Sequence, residues 1–292
     1  MLTGLDGGRC PQVLQGTRVW YRPGWQEDLG ELGLADVGNW RQPVDVPSIS
    51  GTKHVIGCYR ITLASGRVVY YKRYDYRNRW KAALSFWLRP VKAAIEKWGF
   101  QRYRACGVEA LRTVAYGESR VMGLPRIAFI ITEEVPDAVS LDTFVAAGLP
   151  GIDAAERAGK MSAFAGRLVD SVRKAHGACL FHYDLKWRNI LVQARGGEYY
   201  PVIIDCPRAF VSCLRRRYGV TVDLSALARL AVSWLTLQQR YRFLAACLGA
   251  TADAGTRKDW YRRVQRRLDK RPPKIISLQE SPLKGVRFDR QS

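Results

Sequence analysis

Within LFHYDLKWRNILV, Leu180–Val192, a histidine, a carboxylate, a lysine and a carboxamide fall close together as His182, Asp184, Lys186 and Asn189. A loop of the form Asp-x-Lys-x-x-Asn can do chemistry on a hydroxyl. Asp184 can orient the hydroxyl and take its proton, Lys186 can meet a phosphate, and the Asn189 amide oxygen can serve a hard metal. Phosphoryl transfer from ATP asks little covalent chemistry of a protein beyond such positioning and charge neutralisation. A divalent cation with oxygen ligands also wants a second carboxylate. Asp205, in VIIDCP, follows one predicted hairpin later. Read as turn residues alone, Asp184 and Asn189 would satisfy backbone groups, and the placement of Asp205 would be a coincidence.

The elements that must position these residues can be read from periodicity. CYRITL (Cys58–Leu63) and VVYYKRY (Val68–Tyr74) flank the turn ASGR and predict a β-hairpin. Before it, Ser48–Gly57 places Gly51 and Gly57 in a strand–turn–strand. Trp80, Leu84, Trp87, Leu88, Val91, Ile95 and Trp98 recur at helical steps, and Pro90 should kink or split that helix. A second helix is expected over Val108–Ala115 and a buried strand over Arg126–Val135, ending in an acidic turn. Ala154–His176 reads as a long helix with Met161, Phe164, Leu168 and Val172 on its core face. NILVQ and YYPVIID form another hairpin around ARGGE. Helices follow over Asp223–Leu237, Gln239–Leu248 and about Arg257–Arg271. Strands first and helices later predict an α+β fold. The expected divisions are an N-terminal extension over 1–45, a β-rich lobe with a basic helical insertion over 46–136, and a helical lobe over 137–292.

HYDLKWRN resembles the H-R-D-x-x-x-x-N catalytic loop of the protein-kinase-like superfamily. HYDLKWRNILV followed by IIDCPRA more closely resembles the lipopolysaccharide core kinase family, whose members phosphorylate heptose or Kdo sugars. The resemblance spans roughly Gly51 to Ser233. It implies a protein-kinase-like two-lobed fold, ATP and Mg²⁺ as cofactors, and a lipid-linked core oligosaccharide as acceptor. It also implies roles. Lys72 would hold the nucleotide phosphates, with Arg73 on the opposite face of the strand. Glu109 would pair with Lys72, with Glu96 and Glu118 as competing candidates. The loop containing Gly51 and Gly57 would cover the phosphates, and the backbone around Glu133 and Val135 would meet adenine. His182 would be structural. Asp223 would brace the catalytic loop or else serve as a plain helix N-cap.

The departures from the protein-kinase pattern are informative. Asp205-Cys206-Pro207 stands where Asp-Phe-Gly would, and Pro207 fixes its own φ, so Asp205 is expected not to swing. Seventeen residues separate Asp205 from Asp223, and Tyr183 replaces the Arg that would meet an activation-loop phosphate. Both features suit a small or glycolipid acceptor and a constitutively assembled site.

The chain has 292 residues and a formal charge of +21. Tyr70–Arg104 holds ten Lys/Arg against two acids, and Arg257–Ser292 holds twelve against four. Such a field attracts anions. It fits an anionic glycolipid or the anionic face of an inner membrane, with Lys81, Lys92, Lys97, Arg262, Arg263, Arg266 and Arg267 among the contacts. No nucleic-acid module is recognisable, so nucleic acid is not the expected partner, although the charge alone would also suit a nucleic-acid-binding protein. Among enzymes, a kinase of the aminoglycoside or choline type is the runner-up, since such folds share the loop. A pseudokinase scaffold is a third class, and the presence of every key polar residue argues against it. Seven scattered cysteines without C-x-x-C spacing read as reduced thiols of a cytoplasmic protein. The N-terminus shows no signal peptide, and no segment reads as a membrane span.

Overall fold

The computed structural model describes residue 11 and residues 13–41, 56–148, 151–249 and 252–270. They fall into two compact units. The first comprises residues up to Gln101 together with Leu111–Glu134, and the second comprises Arg102–Ala110 together with the chain from Val135 onward.

The first unit is built on an antiparallel five-stranded sheet. Its strands are β1 (Gly16–Tyr21), β2 (Ile56–Thr62), β3 (Val68–Asp75), β4 (Thr113–Val121) and β5 (Leu124–Glu133), in the order β1-β4-β5-β3-β2. The predicted hairpin is β2–β3, with Cys58 opposite Lys72. Between β3 and β4 lie helices α1 (Trp80–Ser85) and α2 (Lys92–Ala105), the break falling around Pro90 as expected of a residue that removes a helical N–H donor.

Two expectations fail in this unit. The segment Val108–Ala115 is not a helix: β4 starts at Thr113 and pairs along its length with β5. The N-terminal segment is not an appendage either. β1 pairs with β4, and Trp25, Leu29, Leu32, Leu34 and Trp40 enter the same core as Tyr71, Ile127 and Phe129. Trp40 is fully buried, donates its indole N–H to Leu34 O at 2.8 Å, and meets Phe129 edge-on at 4.7 Å between centroids. Such an aromatic pair adds about 0.5–1.5 kcal/mol to the area it buries.

The second unit is mainly helical. It contains α3 (Leu141–Ala147), α4 (Ala154–Gly177), α5 (Arg216–Trp234), α6 (Leu237–Leu248) and α7 (Ala254–Asp269). Asp153 caps α4, accepting from the amides of Ala155 and Glu156 at 2.8 and 3.0 Å. Met161, Phe164, Leu168 and Val172 on α4 are all buried. Two small sheets complete the unit: β6 (Ala138–Ser140) with β8 (Ile190–Arg195) and β9 (Glu198–Ile203), and β7 (Leu180–Phe181) with β10 (Phe210–Val211). The β8–β9 turn uses Gly196 and Gly197, both at positive φ, as a tight two-residue hairpin requires.

Candidate active site

The second unit carries the catalytic-loop residues between β7 and β8. Asp223, in the middle of α5 and 1% exposed, is the anchor. Its carboxylate accepts the backbone N–H of His182 at 2.9 Å and of Tyr183 at 2.8 Å, and faces His176 Nε2 at 3.3 Å. The expectation of a plain N-cap at Asp223 is overturned, because α5 begins seven residues earlier at Arg216. Two adjacent amides converging on one acceptor bend the chain, and Tyr183 takes φ +64°. A non-glycine residue there costs on the order of 1–3 kcal/mol, which the surrounding bonds must offset.

That bend turns Asp184 out of the core. Its carboxylate is partly exposed and pairs with Lys186 Nζ at 2.6 Å. Asn189 lies at the end of a single 3₁₀ turn (Trp187–Asn189) and is 2% exposed. Its Nδ2 donates to the Asp184 carbonyl at 2.8 Å and approaches the Asp184 carboxylate at 3.4 Å. The amide nitrogen is therefore committed to Asp184, which directs Oδ1 the other way. Trp187 fixes the turn from beneath, with its indole N–H on Leu227 O at 2.9 Å.

The β8–β9 ladder brings Asp205 to the same place. Ile190 pairs with Ile203, and Ile204 N–H donates to Asn189 O at 3.0 Å, so Asp205 follows directly on Asn189's backbone partner. Asp205 sits at φ +52°. His182, fully buried, bonds through Nε2 to Ile204 O at 3.0 Å. A carbonyl only accepts, so Nε2 carries the proton. His182 thereby ties the catalytic loop to the strand end that presents Asp205. Behind the loop, Tyr183 packs its ring against Phe210 and Tyr218 at 5.9 and 5.8 Å. Aromatic contacts hold the post-Asp205 segment where the kinase pattern has an Arg. Arg215, Arg217, Arg263, Arg266 and Arg267 lie on this side; Arg267 stacks on Tyr218 at 5.6 Å, and Asp259 engages Arg263 and Arg217.

The first unit carries the lysine. Lys72 on β3 reaches Glu96 on α2, with Nζ to Oε1 at 2.8 Å. The other oxygen of Glu96 accepts from Tyr74 Oη at 2.6 Å, and Glu96 is 2% exposed. Lys72 and Tyr74 share a face of β3 by the two-residue alternation of a strand. Arg73 points the other way and donates to Arg41 O. The expected partner Glu109 is corrected: it lies beyond the end of α2, exposed, and pairs with Arg195 at 3.0 Å. Glu118 is buried against Arg120 at 3.4 Å. Glu96 sits on the inner side of α2 beside the buried Ala93, Ala94 and Phe100, a placement that the packing of the helix decides.

Of the remaining expected residues, Gly51 lies outside the described residues. Gly57 is buried within β2, where an added Cβ would press on the Tyr59 ring at 2.8 Å. Glu133 N–H donates to Arg112 O and Glu134 N–H to Val68 O, so both amides are engaged within the first unit. Val135 opens the second unit.

Among curated proteins, none matches the chain. Among solved structures, the chain is similar to "WaaP in complex with acyl carrier protein", with a TM-score of 0.57 and 20% identity, over 85% of this chain and 98% of that one. That likeness shows the fold, which is protein-kinase-like with a small antiparallel-sheet unit and a helical one. The family profile described as "Lipopolysaccharide kinase (Kdo/WaaP) family" matches residues 60–262. That match takes in β3, the catalytic loop, Asp205 and most of α7, and the chain belongs to the lipopolysaccharide kinase (Kdo/WaaP) family.

Proposed function

We propose that this lipopolysaccharide kinase transfers the γ-phosphoryl group of ATP to a heptose or Kdo hydroxyl of lipid-linked core oligosaccharide, with Asp184 as the base. The observation that supports the reading most is the loop held by Asp223, with Asp184, Lys186 and Asn189 fixed in one turn and Asp205 one residue past Asn189's backbone partner. Asp184 takes the hydroxyl proton as the sugar oxygen bonds to the γ-phosphorus. The bond from that phosphorus to the bridging oxygen of ADP breaks, and ADP leaves with its electrons. Lys186 releases Asp184 and neutralises the transferring group. Lys72, oriented by Glu96, holds the α- and β-phosphates, and the main chain of Glu133 and Val135 meets adenine.

The donor set suits Mg²⁺: the Asn189 amide oxygen, left facing away from Asp184, and a carboxylate at Asp205, both hard ligands. Bound there, the ion would neutralise phosphate charge. Asp205 needs no hinge, because Pro207 fixes the segment behind it and Tyr183 packs on Phe210. The arginines around Tyr218 suit an acidic or phosphorylated sugar better than an uncharged alcohol or an aminoglycoside cation.

The WaaP structure contains an acyl carrier protein. We propose a comparable partner for this chain, supported by an apolar cavity of about 100 Å³ lined by Met161, Phe164, Leu168, Leu227 and Phe243. A cavity of that size and lining suits the end of an acyl chain rather than its whole length, and the holo carrier without an acyl chain should bind more weakly.

The test is incubation of the purified protein with Mg·ATP and deacylated core oligosaccharide. The expected result is a phosphate-sized mass increase on a heptose or Kdo residue, absent with Asp184→Asn. Transfer to choline or an aminoglycoside but not to core sugar would overturn the acceptor.

A further inference from the structure

Six of the thirteen exposed large apolar side chains among the described residues gather in one region of the first unit. We propose that Trp80, Leu84, Trp87, Leu88, Val121 and Met122 form a surface that inserts into an anionic phospholipid bilayer.

The patch is contiguous. Trp80 and Leu84 step by four along α1, so they share a side, and Leu88 follows in the turn after it at φ +51°. Trp87 donates its indole N–H to Met122 O at 3.2 Å, and Leu88 N–H bonds to Gly123 O at 3.3 Å. The β4–β5 hairpin tip is thereby docked onto the turn after α1. A Cβ at Gly123 would stand 2.8 Å from Leu88 and 3.0 Å from the Trp87 indole, so glycine allows this approach. Met122 is 81% exposed and Trp80 69%.

These side chains are not a core face that failed to find its partner. The segment has its own inner side, where Ala83 and Val91 are buried and Phe86 meets Tyr76 edge-on at 5.6 Å. Its backbone is fixed by Arg120, which is fully buried beside Glu118. Arg120 donates to Phe86 O at 3.2 Å, Arg89 O at 2.6 Å and Gly123 O at 2.7 Å. The aromatics are thus presented outward on fixed chain.

Charge selects the occupant. No acid lies between Asp75 and Glu96 or between Glu118 and Glu133, while Arg79, Lys81, Arg89 and Arg126 are exposed. An apolar centre with a basic rim matches acyl chains beneath anionic headgroups. A second copy fits worse, because a two-fold contact would set the same cations against each other. Lys97 takes no part. It is drawn inward, with Nζ 3.9 Å from the Trp20 ring centroid.

The surface is testable without turnover, so its failure is distinguishable from failure of the kinase reading. Full-length protein would be floated with vesicles of phosphatidylcholine alone or mixed with phosphatidylglycerol, some carrying brominated acyl chains. Wild type should bind the anionic vesicles, and bromine should quench its tryptophan emission. Combining Trp80→Ser, Trp87→Ser and Met122→Ser should lower partitioning at least ~10-fold and abolish quenching. Arg79→Gln with Lys81→Gln and Arg89→Gln should lower partitioning ~5-fold per cation at low salt. Met122→Ser alone, at an exposed hairpin tip, should still weaken binding if the triple variant misfolds. Activity on deacylated core should be unchanged in every variant. Wild type that ignores anionic vesicles, or variants that bind as wild type does, would overturn the proposal. So would a wild-type dimer that the triple variant converts to monomer.

Discussion

Asp223 in the second unit and Arg120 in the first hold irregular chain by opposite chemistry. Asp223 is an acceptor, and it gathers two consecutive amides, those of His182 and Tyr183. Arg120 is a donor, and it gathers three carbonyls, those of Phe86, Arg89 and Gly123. Each buried charge has company: His176 beside Asp223, and Glu118 at 3.4 Å from Arg120. What they hold differs. Asp223 fixes the loop that carries Asp184, Lys186 and the buried amide of Asn189, the groups proposed above for phosphoryl transfer. Arg120 fixes a turn that presents tryptophan and leucine. A loop can be rigid without being catalytic, so rigidity alone does not identify a site; the side chains it presents do.

The largest effect should come from removing a presented group and leaving its clamp. Asp184→Asn should lower turnover ~10²–10⁴-fold, the usual cost of losing a general base. Its thermal midpoint should stay near that of wild type, because Asp184 is partly exposed and its bond from Asn189 uses the backbone carbonyl. Turnover within a few-fold of wild type would remove Asp184 from the role of base.

Removing the clamps should hit stability. Asp223→Ala strands two buried amides, and Arg120→Met strands three carbonyls and leaves Glu118 buried without its cation. Breaking the buried Arg120–Glu118 pair costs about 3–5 kcal/mol, and each stranded amide donor about 1–3 kcal/mol, both measurable by urea titration. The two variants should then diverge. Where each still folds, Asp223→Ala should lose turnover and keep vesicle binding, and Arg120→Met should do the reverse. Loss of turnover in both, to the same degree, would dissolve the distinction between the two clamps.

A third comparison is between two glutamates. Glu96→Gln should weaken the orientation of Lys72, and a hydrogen bond to a charged group is worth about 1.5–3 kcal/mol, or ~10- to 100-fold in nucleotide use. Glu109→Gln, an exposed partner of Arg195, should change the same quantity little. The reverse ranking in steady-state kinetics against ATP would return the role to Glu109.

These glutamates show where sequence reading stops. The catalytic loop is legible because its residues are neighbours in the chain, and a short motif carries its own geometry. The β2–β3 hairpin, the α1–α2 break and α4 are legible because alternation, proline and helical periodicity are local signals. The choice between Glu96 and Glu109 is not local. It depends on where α2 ends, and β4 reads as helix because Leu111, Val114 and Ala115 also fit a helical step. The inward side of β4 further carries Glu118 and Arg120, whose charges imitate a surface. The first segment hides its role for another reason. Trp25, Leu29, Leu32, Leu34 and Trp40 reach the core from turns and 3₁₀ helices, which leave no period to detect.

Lys97 offers the smallest effect and separates surface charge from buried charge within one basic stretch. Its place in the sequence groups it with Lys81 and Lys92 as a cation for an anionic partner, yet its ammonium sits between the Trp20 and Tyr116 rings. Burial, with Arg18 adding repulsion, pushes its pKa down to about 8. The ring faces attract the charged form and offset part of that push. The direction fixes the pH dependence. Below about pH 8 the folded protein bears the cost of a half-buried charge. Above that value the folded state releases the proton while the unfolded chain keeps it, up to the ordinary lysine value of 10.5. The unfolded state then binds more protons, so stability rises with pH across the window and levels off beyond it. Lys97→Met has no such proton to release. Other groups titrate in the same range, so the quantity to measure is the wild-type minus Lys97→Met difference in unfolding free energy at pH 7 and pH 10. It should shift toward wild type by at most about 1 kcal/mol, because solvent still reaches the ammonium. A shift toward the variant would mean that the ring faces outweigh burial and that Lys97 keeps its charge throughout.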